Sequence, residues 1–161
     1  MSAAESKKAI EDSAELPIRG ARAKVEVVGT RGIFYKVQQG GQTLKRRRGA
    51  WSIALKGSDT VGLRSSGWLP GFQSLWVGEQ RVYRFGEDVP LAAKILAFLP
   101  LTLILVNPLF GFFVALVLVF YNIVTVKNPV FPKALRIALP IFHTVAGGLL
   151  LFLASQTGAA A

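Results

Sequence analysis

The first half of the chain alternates apolar and polar positions in short runs. Between residues 22 and 86, segments rich in Val, Ile, Thr and aromatic residues are separated by Gly, Asp and Ser. Val25 and Val27, for example, are flanked by charged neighbours, which is the two-residue period of a strand with one buried face. Gly40-Gly41 is typical of a two-residue hairpin turn. The pattern predicts six or seven antiparallel strands in a β-sandwich-like or curled sheet.

The second half is dominated by apolar residues. Residues 91–126 contain a single charge, and as one helix they would extend about 54 Å. A bilayer core is only about 30 Å thick, so one crossing cannot use them all. Asn107-Pro108 lies near the middle and favours a turn. The sequence therefore predicts a helical hairpin with arms at 91–106 and 109–126, of which the first is short for a span and could be re-entrant.

A polar break with two prolines and two lysines separates the hairpin from a third apolar stretch. The N-terminal residues are charged and lack the apolar core of a secretory signal. The fold class predicted is therefore an α+β membrane protein with an N-terminal antiparallel β-sandwich-like domain and C-terminal transmembrane helices. Its predicted parts are a flexible tail at 1–20, a soluble antiparallel β domain at 21–88, a transmembrane helical hairpin at 90–126, a third transmembrane helix at 133–154 and a flexible tail at 155–161.

Charge is divided unequally between the two halves. All nine acidic residues and fifteen of the nineteen Lys and Arg precede Pro90. Lysine and arginine collect on the cytoplasmic side of short membrane loops. Three crossings put the basic domain and the 127–136 loop on one side, whereas two crossings separate them. We therefore expect a multi-pass protein of the inner (cytoplasmic) membrane with three crossings and a cytoplasmic N-terminal domain.

Two segments carry a family resemblance. Residues 46–57 (RRRGAWSIALKG) and 72–85 (FQSLWVGEQRVYRF) resemble the hairpins of Fas-apoptotic-inhibitory-molecule-type β-sandwiches. The chain as a whole resembles uncharacterised bacterial membrane proteins that couple such a domain to membrane helices. It departs from them at 107–110 (NPLF), where those relatives carry glycines. The resemblance implies a fold and no reaction. The residues that match the helical part are Val89-Pro90, Leu99-Pro100, Asn122 and Pro132.

Catalytic residues are sparse. Cysteine is absent, which excludes disulfides, zinc thiolates, iron–sulfur clusters and cysteine nucleophiles. Glu79, Glu87 and Asp88 have no nucleophile or metal ligand beside them in the sequence, so turns and the junction between domain and membrane are their expected places. We therefore expect a protein that is not an enzyme and that holds no metal.

His143 is the one histidine, and it falls within the third apolar stretch. Intramembrane ionisable residues suggest a function, and neutral imidazole can be the axial ligand of a haem or chlorophyll. Gly147 and Gly148, one turn later, would give such a ring room, or would let helices pack closely. The alternative for His143 is a hydrogen bond to a neighbouring helix or to the backbone. The sequence leaves both interpretations open.

Lys45, Arg46, Arg47 and Arg48 form the strongest charge run. Such clusters near a membrane helix attract anionic lipid headgroups or an acidic partner protein. They also protect exposed strand edges from pairing, and nucleic acid is a further but unfavoured partner. Trp68 belongs to an aromatic group before the first helix and is a candidate for the membrane interface.

These features together favour a non-enzymatic membrane-anchored accessory or scaffold subunit. Its basic cytoplasmic β domain would bind a partner protein or anionic lipid, and its helices would pack with other membrane-protein subunits in a larger complex. The alternative is a cofactor-bearing subunit of a photosynthetic or respiratory complex that uses His143. Of these two functions, we expect the first, which needs no cofactor.

Overall fold

The computed structural model describes residues 12–158, with side chains through Gln156. The chain divides into two compact units, of which the first ends at Glu87 and the second begins at Asp88. The first unit contains two four-stranded antiparallel sheets, and the second contains three α-helices and one 3₁₀ helix within the described residues. The antiparallel β domain and the helical half predicted from the alternation and the apolar runs are therefore present.

Both sheets are simple meanders in which each strand pairs with the next. The first sheet has the order β1-β2-β3-β4 and the second β5-β6-β7-β8. Gly40 and Gly41 connect β3 to β4 with φ values of 57° and 80°, which confirms the predicted two-residue turn. The strands are β1 (Ser13–Glu15), β2 (Val25–Val28), β3 (Lys36–Gln39), β4 (Gln42–Thr43), β5 (Ala50–Ala54), β6 (Thr60–Ser66), β7 (Ser74–Val77) and β8 (Gln80–Arg84).

One cluster of buried apolar side chains draws on both sheets, because alternate positions of each strand face it. In β2, Val25 and Val27 are buried while their neighbours are partly exposed. The same holds for Trp51 and Ile53 in β5. The buried members are Leu16, Val25, Val27, Val37, Trp51, Ile53, Leu63, Leu75 and Phe85.

Gln39 links the last residues of β3 and β5 through its side-chain amide. Its Nε2 donates to the Ala54 carbonyl at 2.7 Å, and its Oε1 accepts from the Ala54 N–H at 2.9 Å. A side chain thus completes two backbone hydrogen bonds at the outer edge of β5, which is an edge strand of its sheet. The amide adds to an isolated backbone bridge between Ala21 and Leu55, in which the Arg22 N–H donates to the Ala54 carbonyl at 2.9 Å.

The prediction of flexible tails at 1–20 and 155–161 is wrong for those of their residues that the structure describes. Ser13–Glu15 forms β1 and pairs with β2, and Leu16 is 3% exposed. The pairing of β1 with β2 and the burial of Leu16 offset the conformational entropy lost when this short segment is ordered. Three residues are too few to show the two-residue period of a strand. At the other end the last helix continues to Gly158, since Ala154, Ser155 and Gln156 offer no helix breaker. Residues 1–11 and 159–161 lie outside the described part.

The first arm of the hairpin is not the single helix predicted over 91–106. It consists of α1 (Leu91–Leu96) followed by a 3₁₀ helix (Leu99–Leu105). Pro100 has no N–H to bond to Leu96 and its ring crowds the preceding turn, which disfavours an α-helix at this point, although the last helix does continue through Pro140. A 3₁₀ helix rises about 2.0 Å per residue against 1.5 Å for an α-helix. The arm is therefore longer than its residue count suggests.

The predicted turn is confirmed at Asn107-Pro108. Asn107 caps the next helix, with its side chain accepting from the Phe110 N–H at 3.0 Å, and Pro108 occupies the first helical position. The helices that follow are α2 (Pro108–Lys127) and α3 (Lys133–Gly158). By length and composition these two could cross a membrane, while the apolar stretch Leu91–Leu105 is shorter.

Candidate functional site

The predicted basic run is exposed at all four positions, and a tight turn begins within it. Arg47 and Ala50 exchange two backbone hydrogen bonds of 2.8 and 3.0 Å around a two-residue turn. Arg48 and Gly49 make that turn with φ values of 48° and 82°, a conformation that non-glycine residues rarely adopt. Arg47 and Arg48 therefore belong to the turn, while Arg46 precedes it.

Arg46 stacks on Trp51. Its guanidinium carbon lies 4.9 Å from the centre of the indole ring, and its Nη2 donates to the Ser65 hydroxyl at 3.1 Å. Trp51 is only 6% exposed, so the ring is a fixed platform. Within residues 12–158 no carboxylate lies within ion-pair distance of Arg46. The guanidinium is thus held in place by neutral groups and keeps its charge uncompensated.

A surface groove of about 410 Å³ opens beside this arginine. Its floor includes Trp51, and its rim includes Lys36 and Phe34, whose side chain is 79% exposed. Gln73 also lines it, and the Oε1 atom of Gln73 is buried without a hydrogen-bond partner. The groove therefore combines an apolar surface with two cations, all within the β domain.

Three carboxylates of the β domain, those of Glu15, Glu26 and Glu87, are paired with other cations. Lys24 lies 2.6 Å from Glu26 and 3.6 Å from Glu15, and Arg81 lies 3.8 Å from Glu87. The hydrogen bond from Lys24 to Glu26, together with the charge of that carboxylate, raises the pKa of Lys24 above its usual value. None of these acids is paired with the basic run, so the positive charge of residues 45–48 stays available to an external anion.

Trp68, predicted to reach the membrane interface, lies in the loop between β6 and β7. It is 87% exposed. The indole is thus accessible to a lipid surface or a partner, although a single exposed apolar residue is common on proteins. It does not line the groove beside Arg46.

His143 is hydrogen-bonded to the neighbouring helix. Its Nδ1 lies 2.8 Å from the Oδ1 of Asn122 on α2, and its ring meets that of Tyr121 edge to face, with centres 5.0 Å apart. Asn122 is fully buried, and its Nδ2 has no partner among the described residues. The geometry matches the helix-to-helix alternative for His143, and it leaves Nε2 outside that hydrogen bond. The sequence analysis named Asn122 only as part of the family resemblance and did not predict its contact with His143.

Gly147 lies where α3 meets two other segments. A Cβ built on it would lie 2.8 Å from a methyl of Leu118 and 3.2 Å from one of Leu103, whereas Gly148 has only an ordinary contact with Leu103. The space beside Gly147 is therefore filled by protein side chains and offers no room for a flat ring. A third glycine, Gly111, is more constrained, because a Cβ there would overlap the backbone carbonyl of Leu103.

Arg136 was predicted only as a loop charge, and the structure buries it. Its Nη1 lies 2.7 Å from Asp88 Oδ2, and its Nε donates to the Phe131 carbonyl at 2.9 Å. Lys94 and Lys127 are also buried, at 8% and 6% exposure. Three of the four cations of the helical unit are thus buried, and Lys133 is exposed. A sequence pattern could not have assigned the contact of Arg136 with Asp88, which lies 48 positions away.

Within residues 12–158 no group of three or more His, Asp or Glu side chains is arranged to hold a metal ion. No protein-family model, curated protein or solved structure gives a significant match to this chain. Function must therefore be argued from the two arrangements described above, the groove beside Arg46 and the Asn122–His143 pair.

Proposed function

We propose that this chain is a non-enzymatic, membrane-anchored accessory or scaffold subunit. Its basic β domain binds an acidic partner protein, and its helices hold that domain at the membrane and pack with other subunits. The observation that carries the proposal is the basic run, residues 45–48, which has no carboxylate partner in the described chain. The same chain has two helices long and apolar enough to span a bilayer.

The exposed side chains of the helical unit support membrane insertion. Phe110, Phe113 and Leu150 are 64%, 59% and 69% exposed, and many other large apolar residues of this unit are similarly open. A continuous apolar surface of that kind in water is a liability, and it marks a membrane or a protein interface. We propose that lipid and partner helices cover it.

Three crossings are favoured over two by the path of the first arm. Asp88 lies beside Arg136 near the start of α3, and Leu103 packs beside Gly147 and with Leu151. Between Arg136 and Leu151 an α-helix rises about 22 Å. The arm therefore follows α3 for about 22 Å, and a crossing over that distance would require thinning of the bilayer core, which is about 30 Å thick. With three crossings, the β domain and the cationic 127–136 loop share the cytoplasmic side.

Cysteine labelling tests this topology, because the chain has no native cysteine. In intact cells, an impermeant thiol reagent should label Ser155→Cys and should label Ser58→Cys only after the membrane is opened. Labelling of both positions from outside, or of Ser58→Cys alone, would contradict the proposed arrangement.

The β domain is proposed to be a sandwich of the Fas-apoptotic-inhibitory-molecule type. The support is that both sheets contribute to one buried cluster, with Val27 of β2 and Leu63 of β6 each fully buried in it. Such a small domain commonly presents its loops and open ends to partners.

Co-purification tests the accessory role. Extraction from native membranes in a mild detergent should yield the chain with a stoichiometric partner. Replacing residues 45–48 by Gln or Ser should release a partner held by the β domain, while partners held by the helices stay. Recovery of the chain alone from crosslinked membranes would contradict the proposal.

Anionic lipid headgroups are the alternative ligand of the basic run. Cations near the surface each gain about 1 kcal/mol from anionic lipid, and salt screens that attraction. Binding of the full chain, reconstituted in neutral nanodiscs, to phosphatidylglycerol vesicles would favour lipid if it falls with added salt and with neutralisation of 45–48.

A cofactor-bearing subunit is the second candidate, and the orientation of His143 by Asn122 is the observation in its favour. A hydrogen bond to Nδ1 fixes the ring and leaves Nε2 as the ligand atom, as in many haem and metal sites. The filled space beside Gly147 weighs against it. A visible absorption band that travels with the purified protein would make this the better proposal.

A further inference from the structure

We propose that the groove between Arg46 and Phe34 binds an acidic peptide segment of a partner protein. A carboxylate of the segment pairs with Arg46, and an apolar neighbour covers Phe34. This rests on the proposed function in one respect, namely that the β domain recruits a protein. It assigns that recruitment to one groove and one arginine of the basic run.

Arg46 is arranged in advance to receive a carboxylate. Stacking on Trp51 uses the face of the guanidinium, and the bond to Ser65 occupies only one of its nitrogens. An arginine has five N–H donors in one plane, and the remaining ones can bind both oxygens of a carboxylate. Because the side chain is already ordered, less conformational entropy is lost on binding.

Lys36 adds a second positive charge on the same rim. Its ammonium has no ion pair or hydrogen bond with the described residues. A cation that is not compensated within the domain favours a ligand with more than one acidic group. Charge complementarity of this kind also accelerates association and makes binding sensitive to salt.

Phe34 favours a peptide over a free phosphate group. It lines the groove and is 79% exposed. An apolar side chain of a peptide would cover it, whereas inorganic phosphate has no apolar surface to do so.

The test uses the full chain in phosphatidylcholine nanodiscs and a fluorescent peptide of alternating glutamate and leucine. Anisotropy titration measures Kd for the wild type, Arg46→Gln and Arg48→Gln. The last variant removes the same charge from the neighbouring turn tip, outside the groove. We expect Arg46→Gln to raise Kd about tenfold or more, as loss of a charged hydrogen-bond pair does, and Arg48→Gln to raise it less than about threefold through net charge alone.

Lys36→Gln is a second groove variant, which tests the proposal even if Arg46→Gln fails to fold. Lys36 makes no side-chain hydrogen bond or ion pair in the described chain, so its removal should leave the melting curve unchanged and still weaken binding about threefold. The matched glutamine–leucine peptide should bind neither the wild type nor the variants measurably.

Several results would overturn the proposal. These are equal losses for Arg46→Gln and Arg48→Gln, equal binding of the neutral peptide, or no binding of the acidic peptide. The same holds if short-chain phosphatidylglycerol binds in an Arg46-dependent manner and displaces the peptide, because the groove would then be a lipid site. If a partner still co-purifies through residues 45–48 while the groove variants have no effect, the accessory role stands and only this assignment fails.

Discussion

The Nη1 atom of Arg136 lies 2.7 Å from the Oδ2 atom of Asp88, so a buried guanidinium near the start of α3 is paired with the first residue of the helical unit. The guanidinium is 8% exposed and the carboxylate 62% exposed. Arg136 also donates to the Phe131 carbonyl, which fixes the loop before α3. The pair therefore joins the entrance of the first arm to the start of the last helix.

Asp88→Ala should destabilise the helical unit by about 1 kcal/mol, because Arg136 loses a charged hydrogen bond. The loss is modest because the Asp88 carboxylate is exposed to solvent. A double-mutant cycle with Arg136→Met, followed by thermal unfolding in detergent, measures the coupling. Glu87→Ala is the matched control, since its pair with Arg81 is longer and exposed on both sides. Additive effects of Asp88→Ala and Arg136→Met would show that the contact contributes nothing.

Gly111→Ala should be among the most damaging single-methyl changes in the helical unit. The new Cβ would overlap the Leu103 carbonyl, which belongs to backbone and cannot rotate away. Overpacking of this kind costs about 1–3 kcal/mol. Gly148→Ala, by contrast, meets a Leu103 methyl at an ordinary 3.5 Å and gains helix propensity. Thermal unfolding of the two variants in the same detergent should separate them, and equal melting temperatures would contradict the close approach.

Gln39→Ala should loosen the outer edge of β5. It leaves the N–H of Ala54 without its partner, while the Ala54 carbonyl keeps the hydrogen bond from the Arg22 N–H at 2.9 Å, and an unpaired part-buried donor costs about 1–3 kcal/mol. Hydrogen exchange followed by mass spectrometry should show faster exchange of the Ala54 amide. Gln38→Ala is the control, because Gln38 makes only a 3.5 Å contact with Thr43. Unchanged exchange in Gln39→Ala would mean that water replaces the amide without loss.

The elements with a strong local signal could be predicted from the sequence. Alternation located β2 and β5, Gly40-Gly41 located a hairpin, and Asn107-Pro108 located the turn between helices. The three-residue strand β1 could not be found in this way, because it exists through pairing with β2 rather than through its own pattern. The 3₁₀ helix begins beside Pro100, but a proline alone does not predict it, because Pro140 lies inside the α-helix α3.

The residues of the candidate sites could be predicted from the sequence, but the contacts between them could not. The run 45–48 was visible, but the turn at Arg48-Gly49 and the stacking of Arg46 on Trp51 were not. His143 was visible, but its partner Asn122 lies twenty-one positions away on another helix. Contacts of this kind depend on how strands and helices pack, and local spacing contains no information on them.

The Asn122–His143 pair should contribute modestly to the packing of α2 on α3. Hydrogen bonds between membrane helices average about 0.6 kcal/mol, so His143→Leu and Asn122→Leu should show a coupling of that size in a double-mutant cycle. Thr144→Val is the control, since the Thr144 hydroxyl donates within its own helix to the Pro140 carbonyl. We expect the purified wild type and His143→Leu to show no visible absorption band. If the wild type were coloured and lost its band on substitution, the imidazole would be a ligand rather than a packing residue, because no other side chain near it on α3 could replace it.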